Sequence, residues 1–117
     1  MAIQKPRGTQ DLLPSVLGNW YYIENTIRRL CKTYGFEEVR TPMFEETGLF
    51  LRGIGETTDI VQKEMYSFPT GDKKDQSYTL RPEGTASAVR AYLENKIYGQ
   101  ESITKWFYIG PMFRHDK

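Results

Sequence analysis

The sequence has one cysteine, one histidine and no long hydrophobic run. A single thiol, Cys31, excludes an internal disulfide and any cysteine-built metal cage. The isolated His115 has no second histidine or cysteine near it, so no metal site is expected. No stretch approaches the ~20 apolar residues that cross a bilayer. Met1 to Pro6 lack the hydrophobic core of a signal peptide. Together these absences predict a cytoplasmic protein. Charge of one sign is also lacking. Sixteen basic and fifteen acidic side chains leave a net charge of +1, which predicts no strong nonspecific attraction to nucleic acid. There is no internal repeat and no low-complexity tract. Gly53 and Gly55 have no helix following at the spacing of a phosphate-binding fingerprint, so neither a P-loop nor a dinucleotide motif is present.

The 117 residues allow one domain, with 38% apolar and 26% charged residues, as in ordinary globular chains. Aromatics are plentiful at 14%, including eight tyrosines and two tryptophans. They are read as core and interface packing rather than base-stacking platforms.

Residues Ile3 to Pro14 lack a helical period and read as an extended arm. Val16, Trp20, Ile23, Ile27, Leu30, Cys31 and Tyr34 recur at three- and four-residue steps. They predict a helix capped by Ser15 and stopped by Gly35, with Cys31 packed as a core thiol. Phe36 to Pro42 reads as a strand, Glu45 to Leu51 as a short helix, and Arg52 to Asp59 as a loop. Glu64–Phe68 and Ser77–Leu80 form a predicted hairpin around the polar tip Gly71–Asp75. Thr85 to Asn95 is a predicted helix with Thr85 as its cap and an apolar face of Ala88, Val89, Tyr92 and Leu93. Thr104 to Arg114 reads as a strand with no evident partner in what remains. The expected class is α+β, an antiparallel sheet with flanking helices. The chain ends three residues after that last strand, and it is expected to be a truncated piece of a larger fold.

Two clusters carry chemistry. In Arg81-Pro82-Glu83-Gly84-Thr85, Pro82 fixes one backbone angle and Gly84 frees another, so the loop aims its side chains. Glu83 can accept from a substrate ammonium and Thr85 can add a hydroxyl acceptor. Equally, both can serve as caps of the following helix. Arg81 suits a structural ion pair or a phosphate ligand. In Gly110-Pro111-Met112-Phe113-Arg114, the arginine can hold an α-phosphate and offset charge that grows on it, or it can be a surface residue.

These segments resemble the histidyl-tRNA synthetase family of class II aminoacyl-tRNA synthetases. The arm Pro6-Arg7-Gly8-Thr9-Gln10-Asp11-Leu12-Leu13-Pro14 is similar to the family's start. Gly35-Phe36 through Thr41-Pro42 looks like motif 1. Thr57 to Tyr66 resembles the histidyl branch, especially its bacterial members. Leu80 to Thr85 looks like its amino-acid loop, and Tyr108 to Arg114 like the first half of motif 2. The resemblance covers nearly the whole chain. It implies that residues 1–117 are the N-terminal part of a class II catalytic core. It further implies that Glu83 and Thr85 bind the histidine ammonium and that Arg114 holds the ATP α-phosphate and the histidine carboxylate as the catalytic arginine. Magnesium would bridge ATP oxygens, tRNA(His) would be the acceptor, and Phe36–Pro42 would lie at a homodimer interface. Asp116 stands where the family motif carries glutamate. The rest of motif 2, the histidine-specific motif, motif 3 and the anticodon-binding domain are absent, so this polypeptide alone is expected to be inactive. Two other readings are a synthetase-like regulatory subunit of ATP phosphoribosyltransferase and a non-catalytic interaction module.

Overall fold

Pro14 opens helix α1 (Pro14–Thr33) in the computed structural model, which describes residues 2–54, 63–71 and 75–115, with backbone alone at 53 and 54. The cap position is Leu13, in extended conformation and without a side-chain bond, so Ser15 is not the cap. Proline explains the earlier start. At the first helical position its missing N–H would have had no partner, and its φ is already set for the helix. The other end matches expectation. Gly35 takes φ +80°, its N–H bonds to Lys32 O at 3.1 Å, and Phe36 N–H bonds to Cys31 O at 2.7 Å. This pair of bonds closes the last carbonyls and needs the left-handed residue that glycine supplies.

The apolar stripe of α1 is real but uncovered. No α1 residue is buried; Trp20 is 47% exposed and Leu30 54%. Cys31 is half-buried, not the core thiol expected. The Cα radius of gyration is 17.3 Å, against roughly 13.4 Å for a compact domain of this length. The chain therefore displays an apolar helical face that its own described residues do not cover.

Two small sheets follow. Strand β1 (Glu37–Glu38) is much shorter than the segment Phe36–Pro42. Strand β2 (Phe44–Glu46) lies where a helix was expected, so helix α2 (Thr47–Ile54) starts two residues late and runs into the expected loop. Strands β3 (Ser67–Pro69) and β4 (Ser77–Leu80) form the predicted antiparallel hairpin, with Phe68 opposite Tyr78. Strand β2 pairs with the other edge of β4, Glu45 opposite Thr79, giving the order β2-β4-β3. One face of this sheet gathers the rings of Phe44, Phe68 and Tyr78, with centroids 5.2 to 6.1 Å apart. The opposite face carries Thr79, fully buried, whose hydroxyl bonds those of Thr47 and Ser67, both at 2.8 Å. The tip residues 72–74 and residues 55–62, which include 57–62 of the Thr57–Tyr66 motif, lie outside the described residues.

Helix α3 (Thr85–Glu94) is followed by a single 3-10 turn (Ile97–Gly99) and by strand β5 (Trp106–Phe107). Its buried face is Ser87 and Ala91, not Val89 and Leu93, which are 51% and 56% exposed. Small side chains one turn apart let a helix approach its neighbour closely, and α3 packs against α2. Strand β5 pairs with β1 in parallel, Glu37 opposite Trp106, so this second sheet is not antiparallel and the last strand does have a partner. The ring of Trp106 meets Tyr92 of α3 edge-on at 6.2 Å, which ties the parallel pair to the helix. No helix among the described residues is long and apolar enough to cross a membrane.

Candidate functional site

Arg81 follows β4 directly and is only 7% exposed. Its Nε donates to Pro111 O at 2.9 Å, and its Nη1 donates to Thr41 O at 3.1 Å and to Thr41 Oγ1 at 3.3 Å. Its main chain joins the same segments: Arg81 N–H bonds Met43 O, and Phe113 N–H bonds Arg81 O at 2.8 Å. Arg81 thus makes no ion pair among the described residues, and its guanidinium is turned to main-chain and hydroxyl acceptors. A buried guanidinium needs acceptors, and two chain segments, at Thr41 and Pro111, supply them.

That staple sets the loop above it. The Glu83 carboxylate accepts from Thr85 N–H at 2.5 Å and from Ala86 N–H at 3.1 Å. It therefore caps α3, satisfying donors the helix leaves open and placing negative charge at its positive end. The N-cap position is Gly84, so Thr85 is the first helical residue rather than the cap. Its hydroxyl is then free to meet the Tyr108 hydroxyl at 2.8 Å. Gly84 is required by the same approach, because a Cβ there would come within 2.3 Å of the Tyr108 ring.

Arg114 reaches the loop from the other side. Its Nε donates to Pro82 O at 3.0 Å, while its two Nη nitrogens bond nothing among the described residues. Glu83, Thr85 and Arg114 line one open cavity of about 990 Å³, ample for an amino acid beside a nucleotide. Leu49, Ala86, Val89 and Leu93 form its apolar wall. Arg52, Arg90 and Glu94 also border it. Arg90 pairs with Glu45 at 3.0 Å and with Glu94 at 2.6 Å, which ties α3 to β2.

The structure brings Glu83, Thr85 and Arg114, the three residues singled out in the sequence, to the border of one cavity. Sequence reasoning missed Arg90 and Tyr108. Ala86, Val89, Arg90 and Leu93 share one helical stripe by spacing, so the signal for Arg90 was present, but the face read from the sequence was Ala88, Val89, Tyr92 and Leu93. Tyr108 carried no local signal, since its partner is 23 positions away. His115 packs its ring on Tyr66, centroids 4.9 Å apart, and its backbone N–H donates to Glu64 O. Asp116 lies outside the described residues. Among the described residues no group of three or more His, Cys, Asp or Glu side chains gathers as a metal site.

Away from the cavity, Glu38 accepts from Arg28 at 3.3 Å and from Arg40 at 3.2 Å. The Arg28 hydrogen bond, seconded by Arg40, holds its carboxyl below the usual glutamate range, against partial desolvation acting the other way.

A family model described as histidyl-tRNA synthetase matches residues 8–117. Histidine–tRNA ligases of Desulfitobacterium hafniense and Halothermothrix orenii are 61% and 62% identical over all 117 residues. The chain spans about 27% of the length of each. Among solved structures, apo histidyl-tRNA synthetase of S. aureus superposes with a TM-score of 0.79 at 47% identity, over 97% of this chain and 26% of that one. A protein described as an ATP phosphoribosyltransferase regulatory subunit/histidyl-tRNA synthetase from Bacillus halodurans gives 0.78 at 18% identity, over 100% of this chain and 29% of that one. The last likeness shows the fold alone.

Proposed function

The chain belongs to the histidyl-tRNA synthetase family and has its class II fold, and from that premise we propose that it is the N-terminal part of the catalytic core of a histidine–tRNA ligase. The whole protein joins histidine to ATP. The histidine carboxylate attacks the α-phosphorus, forming the acyl-phosphate bond of histidyl-adenylate and expelling pyrophosphate. The terminal ribose of tRNA(His) then takes the histidyl group and AMP leaves.

One observation carries this reading: Glu83, Thr85 and Arg114 border the same cavity. Glu83 and Thr85 bind the histidine ammonium. A carboxylate has about four acceptor positions, and the two helix N–H groups leave room for an ammonium donor. Arg114 is the catalytic arginine. Its Nη pair, aimed by the Nε bond to Pro82 O, holds the α-phosphate and the histidine carboxylate in bidentate fashion. Charge develops on the phosphoryl oxygens as the bond forms, and a fixed guanidinium stabilises it without reorganising. Magnesium arrives with ATP as part of the substrate, with no step assigned to a protein-held metal. The exposed stripe of α1 and the edge near β1 form surface for the remaining core or a second copy in a homodimer, and the enzyme works in the cytoplasm.

The regulatory-subunit reading shares the fold but gives no reason for an ammonium acceptor and a free guanidinium pair in one cavity. An independent docking module gives none either. The test is histidine-dependent ATP–pyrophosphate exchange by the full-length protein and by residues 1–117. Exchange by the full-length protein only is expected. No exchange by the full-length protein overturns the ligase reading, and turnover by the short chain overturns its dependence on the rest.

A further inference from the structure

The cavity residue Thr85 is held by a side chain that does not itself border the cavity. Its Oγ1 lies 2.8 Å from the Tyr108 hydroxyl. We propose that Tyr108 is a positioning residue that presents Thr85 to the ligand ammonium as an acceptor. This rests on the reading of Thr85 given above.

A threonine at a helix start has more than one χ1 well open to it, because its hydroxyl can also bond nearby main chain. Tyr108 selects one. Its ring is seated against Gly84, at a place where a Cβ would not fit, so the phenol oxygen has a fixed position. Two hydroxyls in contact share one bridging hydrogen, and either can donate. An ammonium group has three donors and no acceptor. Its arrival favours the order in which Thr85 O–H donates to Tyr108, leaving the lone pairs of Thr85 for the ammonium. In the reverse order the Thr85 hydrogen would face the cation. The phenol therefore sets both the rotamer and the proton order of the residue that meets the substrate. The carboxylate of Glu83 needs no such sorting, since it can only accept when ionised.

Tyr108→Phe keeps the ring on Gly84 and removes only the hydroxyl. In the full-length protein we expect it to raise the KM for histidine about 3- to 10-fold, the worth of one neutral hydrogen bond, with kcat moving less than KM. Inhibition by imidazolepropionate, which is histidine without its amine, is expected to stay unchanged. Tyr108→Phe added to Thr85→Val is expected to cost nothing further. Equal weakening of histidine and imidazolepropionate, a fall in kcat larger than the rise in KM, or additive effects in the double variant would overturn the inference alone. Thr85→Val with unaltered preference for histidine over imidazolepropionate would overturn the reading beneath it as well.

Discussion

Arg114 and Pro82 stand 32 positions apart and share one hydrogen bond, Nε to carbonyl oxygen at 3.0 Å. With Phe113 N–H on Arg81 O and Arg81 on Pro111 O, it joins the acidic loop to the basic segment. The distance between carboxylate and guanidinium walls is thus set by bonds to main-chain carbonyls, not by ion pairing between the two groups. Each charge stays available to a ligand.

Arg114→Ala should lower the rate of histidine-dependent pyrophosphate exchange by about 10²–10³-fold. Arg114→Lys should fail to restore it. An ammonium is a point charge and cannot bond Pro82 O while offering a parallel pair of donors. A lysine variant with near-normal exchange would refute the bidentate role.

Glu83→Ala should have two separable effects. Losing the α3 cap should lower stability by about 1 kcal/mol, read as a shift in the urea midpoint without ligand. Losing the ammonium acceptor should also raise the KM for histidine. Replacing the cap through Gly84→Ser is blocked by the Tyr108 ring, so that change should destabilise rather than rescue.

Ser87→Ala should be neutral to stabilising, by up to about 1 kcal/mol. Ser87 is fully buried on α3, and its Oγ has no partner among the described residues. Alanine removes the unpaired hydroxyl and is the better helix former. A clear loss in the denaturant midpoint would show that the hydroxyl is satisfied.

Glu38→Gln tests the Arg28 and Arg40 pairs. Because the carboxyl is held below its ordinary value, its stabilising contribution is present above the unfolded glutamate range, about pH 4.3. It is lost as pH falls through the lower folded value. The variant should therefore be less stable than wild type at pH 7, and the two should converge once the pH has fallen below the lowered folded value. Added salt should shrink the gap at pH 7, since these groups are partly exposed.

Much of the architecture was legible because its causes are local. The hairpin of β3 and β4, the stop at Gly35 and the existence of α1 and α3 follow from periodicity and turn chemistry within a few residues. The failures share the opposite feature. Phe44–Glu46 became a strand because β4, more than thirty positions on, offers it an unpaired edge. Glu37–Glu38 found Trp106–Phe107 as a parallel partner through contacts no neighbouring residue encodes. Pro14 displacing Ser15 is the local exception, since a missing N–H is harmless only at a helix start.

By itself the sequence determined the chemistry on offer. It supplied one carboxylate and one hydroxyl in a proline- and glycine-shaped loop, one arginine after an aromatic segment, and no thiol or imidazole cluster to compete. Only the tertiary structure decided how those groups are used. It turned Arg81 inward as a staple, gave Glu83 the helix end as well as the cavity, and set Tyr108 against Thr85. The reason is range. Side-chain type and backbone preference act between neighbours, whereas burial, hydrogen-bond partners and a shared cavity exist only once distant segments pack.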